Sequence, residues 1–258
     1  MKIVVCMKQV PDTETRIRIA PDGKSIVEQD VNWVVSPYDE FAIEEALRIK
    51  EAKGGEVILA CVGPDRVQSA LRNGLAMGAD SAIHLKDAAL DGADTFGTAR
   101  ALAAVLKPLA PDLVLMGQQG VGGDNSQVPG LTAQILDLPS VTMAVKVEVK
   151  DGSVTVEREI EGAHETWESS LPVVISAQKG LNEPRYASLK GIMAAKKKVI
   201  ETKDLAAVGL AAGDVAAKTS IVALELPPPR AAVKMIEGDA DTQVRELIRV
   251  LHEDAKVI

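Results

Sequence analysis

The 258 residues are 47% apolar and 26% charged, enough to bury a sizeable core and near the upper size limit for one domain. A formal net charge of −8, with no Lys/Arg stripe along the chain, excludes a general nucleic-acid binder, which must neutralise phosphates. The only cysteines, Cys6 and Cys61, sit in apolar strand-like runs without C-x-x-C spacing, so a dithiol or metal site is not expected and a reducing compartment fits.

The opening run Met1–Lys8 is too short for a signal peptide, and no stretch approaches about 18 uninterrupted apolar residues. A soluble, cytoplasmic protein is therefore expected. Through the first 140 residues, β-rich runs alternate with amphipathic helical patterns, the signature of a parallel sheet covered on both faces. Strands are predicted at Lys2–Lys8, Glu56–Val62, Ser81–Leu85 and Leu113–Gly117. Arg16–Glu28 forms an excursion around the Pro21-Asp22-Gly23 turn.

Ser36-Pro37-Tyr38-Asp39 opens the first helix, with Ser36 as N-cap, Pro37 at the first helical position and Asp39 completing a capping-box-like pattern. The helix runs to about Lys53. Ala42, Ile43, Ala46, Leu47 and Ile49 form its inner face, leaving Glu44, Glu45, Arg48 and Glu51 outside. Further helices are expected at Asp65–Met77, ending at Gly78, and at Asp94–Lys107, before Pro108.

From Val141 the period changes to two. Val145, Val147 and Val149 face Val154 and Val156 across Asp151-Gly152, a two-residue hairpin signal. Glu165–Ser170 and Pro172–Ala177 are expected to extend the sheet in antiparallel fashion. After Ala195 the chain is read as leaving the compact domain, through Lys196-Lys197-Lys198 and Pro227-Pro228-Pro229, to end in an amphipathic helix at about Asp241–His252. Residues 1–195 are thus one unit and residues 196–258 an arm that needs something to dock on.

The clearest chemistry lies after the fourth strand, in Gly117, Gln118, Gln119, Gly120, Val121, Gly122, Gly123, Asp124, Asn125, Ser126, Gln127 and Val128. Glycines at the carboxyl end of a parallel strand let backbone approach a ligand, and the helix that Pro129 begins aims its amides at anions. The loop matches neither G-x-G-x-x-G nor a P-loop, and a plain flexible turn is the competing reading. Cys6, Ser36 and Val62 end or follow strands at the same sheet edge, where open α/β sheets hold ligands. His84, His164 and His252 are too scattered for a metal site or triad and are expected mostly at the surface. Glu157, Glu159, Glu161, Glu165 and Glu168 read as a solvated face, and no general acid or base is assigned.

The segment Asn182–Met193 mixes Arg185, Tyr186, Leu189, Lys190, Ile192 and Met193 between Pro184 and Gly191. Such residue types anchor interfaces, although composition alone places Leu189 and Met193 in the core.

Val156–Gly162, Leu171-Pro172-Val173-Val174, and Asn182-Glu183-Pro184-Arg185-Tyr186 through Met193–Lys198 closely resemble the signature of the electron transfer flavoprotein beta-subunit family. Val4–Val10, Ser36–Ala46 and Leu75–Asp80 resemble it too, so the likeness spans nearly the whole chain. It implies an α/β fold with a Rossmann-like open, mostly parallel sheet of the adenine nucleotide alpha-hydrolase-like type, an antiparallel extension and an extended C-terminal arm wrapping an alpha subunit. It further implies FAD held mainly by alpha and AMP buried in beta, contacted by Cys6, Ser36, Pro37, Tyr38, Asp39, Val62 and the loop Gly117–Val128. Tyr38 matches an aromatic position near the flavin, whereas Thr13 stands where some relatives carry a tyrosine.

The same resemblance makes Arg185–Met193 a docking loop for dehydrogenases such as acyl-CoA dehydrogenases, with Leu189 as its exposed anchor and a quinone-linked oxidoreductase as acceptor. It also implies a bacterial or archaeal cytoplasm, or a mitochondrial matrix in a eukaryote. Two departures stand out: Gly162-Ala163 replaces a glycine pair, and the loop lacks an acidic run. Gln127-Val128 is similar instead to beta subunits that bind a second FAD and bifurcate electrons while oxidising NADH. A stand-alone adenine-nucleotide module is the remaining alternative.

Overall fold

A computed structural model of the chain describes residues 1–230 and 232–258. In chain order, the strands and helices are β1 (Lys2–Cys6), β2 (Gln9–Pro11), β3 (Trp33–Val35), α1 (Pro37–Lys53), β4 (Glu56–Val62), α2 (Val67–Met77) and β5 (Ser81–Leu85). There follow α3 (Thr95–Leu109), β6 (Leu113–Gly117), α4 (Val128–Leu136), β7 (Ser140–Lys150), β8 (Ser153–Ile160), β9 (Ala163–Ser170) and β10 (Val173–Ala177). The chain ends with α5 (Leu189–Ala195), β11 (Ile200–Lys203) and α6 (Ala240–Arg249). One large sheet has the order β11-β5-β4-β1-β6-β10-β7-β8-β9, and β2 pairs antiparallel with β3 in a small second sheet.

Successive residues of a strand point to opposite faces, and β1 shows how this builds two cores. Ile3 and Val5 pack in the cluster shared with α1 and α2, while Val4 and Cys6 pack in the cluster shared with α3 and α4. Strands β1, β4, β5, β6, β10 and β11 run parallel. The chain moves outward from β1 through β4 to β5, then returns to β6 on the other side of β1. Such a reversal of strand order opens a crevice at the carboxyl ends of the strands.

Several expectations require correction. Pro172–Ala177 does not extend the sheet antiparallel: β10 lies between β6 and β7 and runs parallel to both. All five of its residues are buried, and an apolar run buried on both faces belongs inside a parallel sheet. The hairpin itself forms in the expected register, with Val147 opposite Val156 and Val149 opposite Val154, whereas Val145 falls in an irregularity of β7. Beyond Ala195 the chain does not leave the fold at once, because β11 pairs with β5 and Leu205 and Val215 are buried in the second core.

Ser36 stands at the N-cap of α1 and Pro37 at its start, but no side chain caps the helix. Asp39 forms no capping box, because its carboxylate is drawn to two strand ends instead. Glu44 and Glu45, expected outside, are buried beneath the segment that carries Asn182 and Arg185. His84 is fully buried rather than superficial, donating from Nε2 to the Gly63 carbonyl at 2.8 Å. Pro108 falls inside the last turn of α3 instead of ending it. Among the described residues, no helix is long and apolar enough to cross a membrane.

Candidate functional site

A cavity of about 1030 Å³ opens at the strand reversal, at the upper end of the range of small-molecule sites. The carboxyl ends of β1, β4 and β6 supply Cys6, Val62, Met116 and Gly117, and the loop that follows supplies Gln118, Gly120, Gly123, Asp124, Asn125, Ser126, Gln127 and Val128. Asp39, from the first turn of α1, completes this side. The structure therefore brings together twelve of the sixteen candidate cofactor residues. Ser36, Pro37, Tyr38 and Gly122 lie outside the wall, and Ser36 reaches it only through a 3.4 Å contact from its hydroxyl to the Gln119 carbonyl.

The site is held by hydrogen bonds that its own residues make. Asp39 Oδ2 accepts from the Lys8 amide at 2.7 Å and Oδ1 from the Gly117 amide at 2.8 Å, tying the ends of β1 and β6 to α1. A Cβ on Gly117 would lie 2.5 Å from Asp39 Oδ1 and 2.8 Å from the Asp39 nitrogen, so only glycine permits this approach. Burial pushes the Asp39 carboxyl up to about 7, against the lowering effect of the two amides. Burial likewise raises the Cys6 thiol and takes Cys61 up to about 12, keeping both uncharged.

Beyond Gly117 the loop folds on itself. The amide of Asp124 donates to the Gly120 carbonyl, Gln119 Nε2 donates to Asp124 Oδ1 at 2.9 Å, and Ser126 donates to Gln119 Oε1 at 2.7 Å. Gln118, also in the wall, is tied to the neighbouring strands, accepting at Oε1 from the Met143 amide and the Ser176 hydroxyl. Thr95 donates to Gln127 Oε1 at 2.8 Å, which clasps the loop to the start of α3. The N-termini of α3 and α4 both border the cavity; that of α3 is capped by Asp94, which accepts from the Gly97 amide, whereas no side chain caps α4, so its amides and dipole favour an anion there.

Sequence reasoning missed three parts of the wall. Lys8 is the only Lys or Arg lining the cavity among the described residues, and its side chain lies across the glycine loop: a Cβ on Gly120 would meet Lys8 Cδ at 2.7 Å. The second part is the β5–α3 connection, with Leu90, Asp94, Thr95 and Thr98; as the end of another parallel strand, it was open to the rule that selected Cys6 and Val62. The third, Ala217 and Thr219–Ile221, comes from the arm, and no local pattern signals so distant a contact.

The candidate partner residues form a separate surface. Arg185 clasps α1, with Nε 2.7 Å from Glu44 Oε2, Nη2 3.1 Å from Glu44 Oε1 and further bonds to Glu51. Asn182 donates to the Phe41 carbonyl and to Glu45. Ser188 caps α5 by accepting from the Gly191 amide, and Gly191 lies so close to the Ala76 carbonyl that a Cβ would overlap it. Fixed on this base, Leu189 is 79% exposed, Met193 54% and Tyr186 97%. The composition-based core placement of Leu189 and Met193 is thereby overturned. Ile192 and Lys190 are exposed beside them, whereas Arg185 is turned inward to the glutamates.

A mostly parallel α/β sheet with a cavity at its strand reversal, and a separate exposed apolar loop held to α1 by hydrogen bonds, define the class of fold and its two candidate surfaces. Residues 24–208 match the family model described as the electron transfer flavoprotein domain. The chain is 38% identical to the electron transfer flavoprotein subunit beta of Bacillus subtilis (strain 168), over the whole of both chains. It is 40% identical to that of Thermoanaerobacterium thermosaccharolyticum, over 98% of each chain, and 39% identical to that of Sus scrofa, over 97% of this chain and 99% of the relative. The chain belongs to the electron transfer flavoprotein beta-subunit family, and with it to electron transport by flavoproteins.

Proposed function

We propose that the chain is the electron-carrying partner of an alpha subunit, binding AMP in its own cavity while alpha holds most of a FAD. The observation that carries this reading is the cavity itself: a sheet-edge site in which Gly117 and Gly120 admit backbone to close range, Lys8 supplies a cation and the uncapped N-terminus of α4 supplies amides. A phosphate needs those three kinds of donor. The nucleotide braces the fold, Tyr38 stands outside the cavity where alpha-held flavin would meet this subunit, and no residue here transforms a substrate.

Electrons enter from dehydrogenases, acyl-CoA dehydrogenases being the leading candidates, and leave to a quinone-linked oxidoreductase. The exposed Leu189, with Tyr186, Ile192 and Met193 beside it, serves as the docking anchor, since an apolar side chain on a rigid loop gives a transient complex specificity at small entropic cost. The test is to mix the copurified heterodimer with an acyl-CoA dehydrogenase and its substrate. Bleaching of the heterodimer flavin supports the reading, and a flavin that stays oxidised overturns that choice of donor.

A second reading places FAD in the cavity of this subunit, for an electron-bifurcating complex that oxidises NADH. The cavity volume, larger than a mononucleotide requires, and the Gln127-Val128 pair in its wall favour it. Two flavins per heterodimer, one of them reduced by NADH, would decide for it.

A further inference from the structure

The root of the C-terminal arm contributes to the wall of the cavity. Ala217, Thr219, Ser220 and Ile221 line it together with Gly123–Gln127 of the loop after β6. Two anchors hold this segment. Val215 is fully buried, and its carbonyl sits so close to Gly97 that a Cβ there would approach it to 2.4 Å. Asp94, the N-cap of α3, accepts from the Gly97 amide through Oδ1 at 2.9 Å and from the Lys218 amide through Oδ2 at 2.7 Å. One carboxylate thus holds both the helix and the arm backbone that border the cavity. Beyond Ile221, the Leu224 amide donates to the Gly23 carbonyl at 2.8 Å, so the arm departs over the excursion between β2 and β3.

Between these fixed points the segment makes no strand or helix, and residues 216–221 are exposed. Thr219 and Ser220 border the cavity with hydroxyls that take no side-chain acceptor among the described residues, whereas the hydroxyls of Thr95 and Ser126, also in its wall, are already spent on Gln127 and Gln119. A hydroxyl that borders a site while free of partners is available to a polar ligand.

We propose that Ala217–Ile221 is a strap over the nucleotide cavity, in which Thr219 and Ser220 bond the sugar-phosphate part of an adenine nucleotide, so that occupancy of the cavity fixes the root of the arm. The proposal rests on the reading of the cavity as an adenine-nucleotide site and adds to it a ligand contact from outside the sheet edge. It also makes nucleotide content a determinant of where the arm starts, and hence of how firmly the arm is presented to a partner.

The test uses the copurified heterodimer, stripped of nucleotide at its cavity and titrated with AMP and, separately, with FAD. Hydrogen exchange should slow at residues 218–221 by roughly tenfold or more with whichever nucleotide binds. The double variant Thr219→Val with Ser220→Ala should bind that nucleotide roughly tenfold more weakly, with the unfolding midpoint of the nucleotide-free complex unmoved. Wild-type complex that binds a nucleotide with unchanged exchange at 218–221, or a double variant that binds as tightly as wild type, overturns the strap and leaves the cavity reading standing. Failure of both AMP and FAD to bind the wild-type cavity overturns the cavity reading, and the strap with it.

Discussion

The Asp39 carboxylate accepts from the Gly117 amide at 2.8 Å while its other oxygen accepts from the Lys8 amide, so one buried acid fastens the two strand ends between which the cavity opens. Folding raises its pKa to about 7, chiefly through burial. A carboxyl whose pKa rises on folding contributes stability that is fully present below the ordinary aspartate value and is lost as pH rises through about 7. Asp39→Asn removes this titration and leaves one amide without its acceptor, at a cost of about 1–3 kcal/mol. Unfolding free energies of both proteins between pH 4 and pH 8 should show the advantage of the wild type shrinking as pH rises. A difference that stays constant with pH contradicts the assignment.

Lys8 contributes the cation of the cavity wall. Lys8→Met keeps the length of the side chain against Gly120 and removes the charge. Nucleotide affinity should fall roughly tenfold or more, and the loss should narrow as salt is added. Equilibrium titration at two ionic strengths measures both effects, and an affinity unchanged at low salt excludes phosphate from the neighbourhood of Lys8.

Arg185 acts as a clamp within the chain. Burial by itself raises the Glu44 carboxyl, but the hydrogen bonds from Arg185 and Arg48 outweigh it and hold the group below its ordinary value. The clamp therefore contributes stability above the ordinary glutamate pKa and loses it as pH falls through the lowered folded value. Arg185→Met should cost about 1–3 kcal/mol at pH 7 and much less near pH 3, read by denaturant unfolding at both pH values.

Leu189→Ala should leave stability within about 0.5 kcal/mol, because the side chain is 79% exposed. The apparent KM for the heterodimer in reduction by its dehydrogenase should rise roughly tenfold. Steady-state kinetics with the dehydrogenase at limiting heterodimer concentration measures this, and an unchanged KM removes Leu189 from the docking surface.

The parts of the fold legible in the sequence were those with local signals. Periodicity placed α1 and β4, and Asp151-Gly152 fixed the hairpin register of β7 and β8. Strand ends and glycines marked Cys6, Val62 and Gly117–Val128, most of which share one cavity. What escaped depends on partners far away in sequence. Glu44 and Glu45 look like surface glutamates until Arg185 and Asn182 arrive from across the chain, and Asp39 looks like a helix cap until two strand amides claim it. The parallel pairing of β10 and the place of Thr219 in the cavity wall likewise follow from the assembled fold and from no local pattern.

The central claim is that the cavity bounded by Gly117, Gly120 and Lys8 holds an adenine nucleotide. Copurification with the alpha partner, denaturation, and chromatographic quantification of FAD and AMP per heterodimer test it most directly. The account predicts one FAD and one AMP; two FAD without AMP would transfer the cavity to the bifurcating reading, and one FAD with no second adenine nucleotide would contradict the claim.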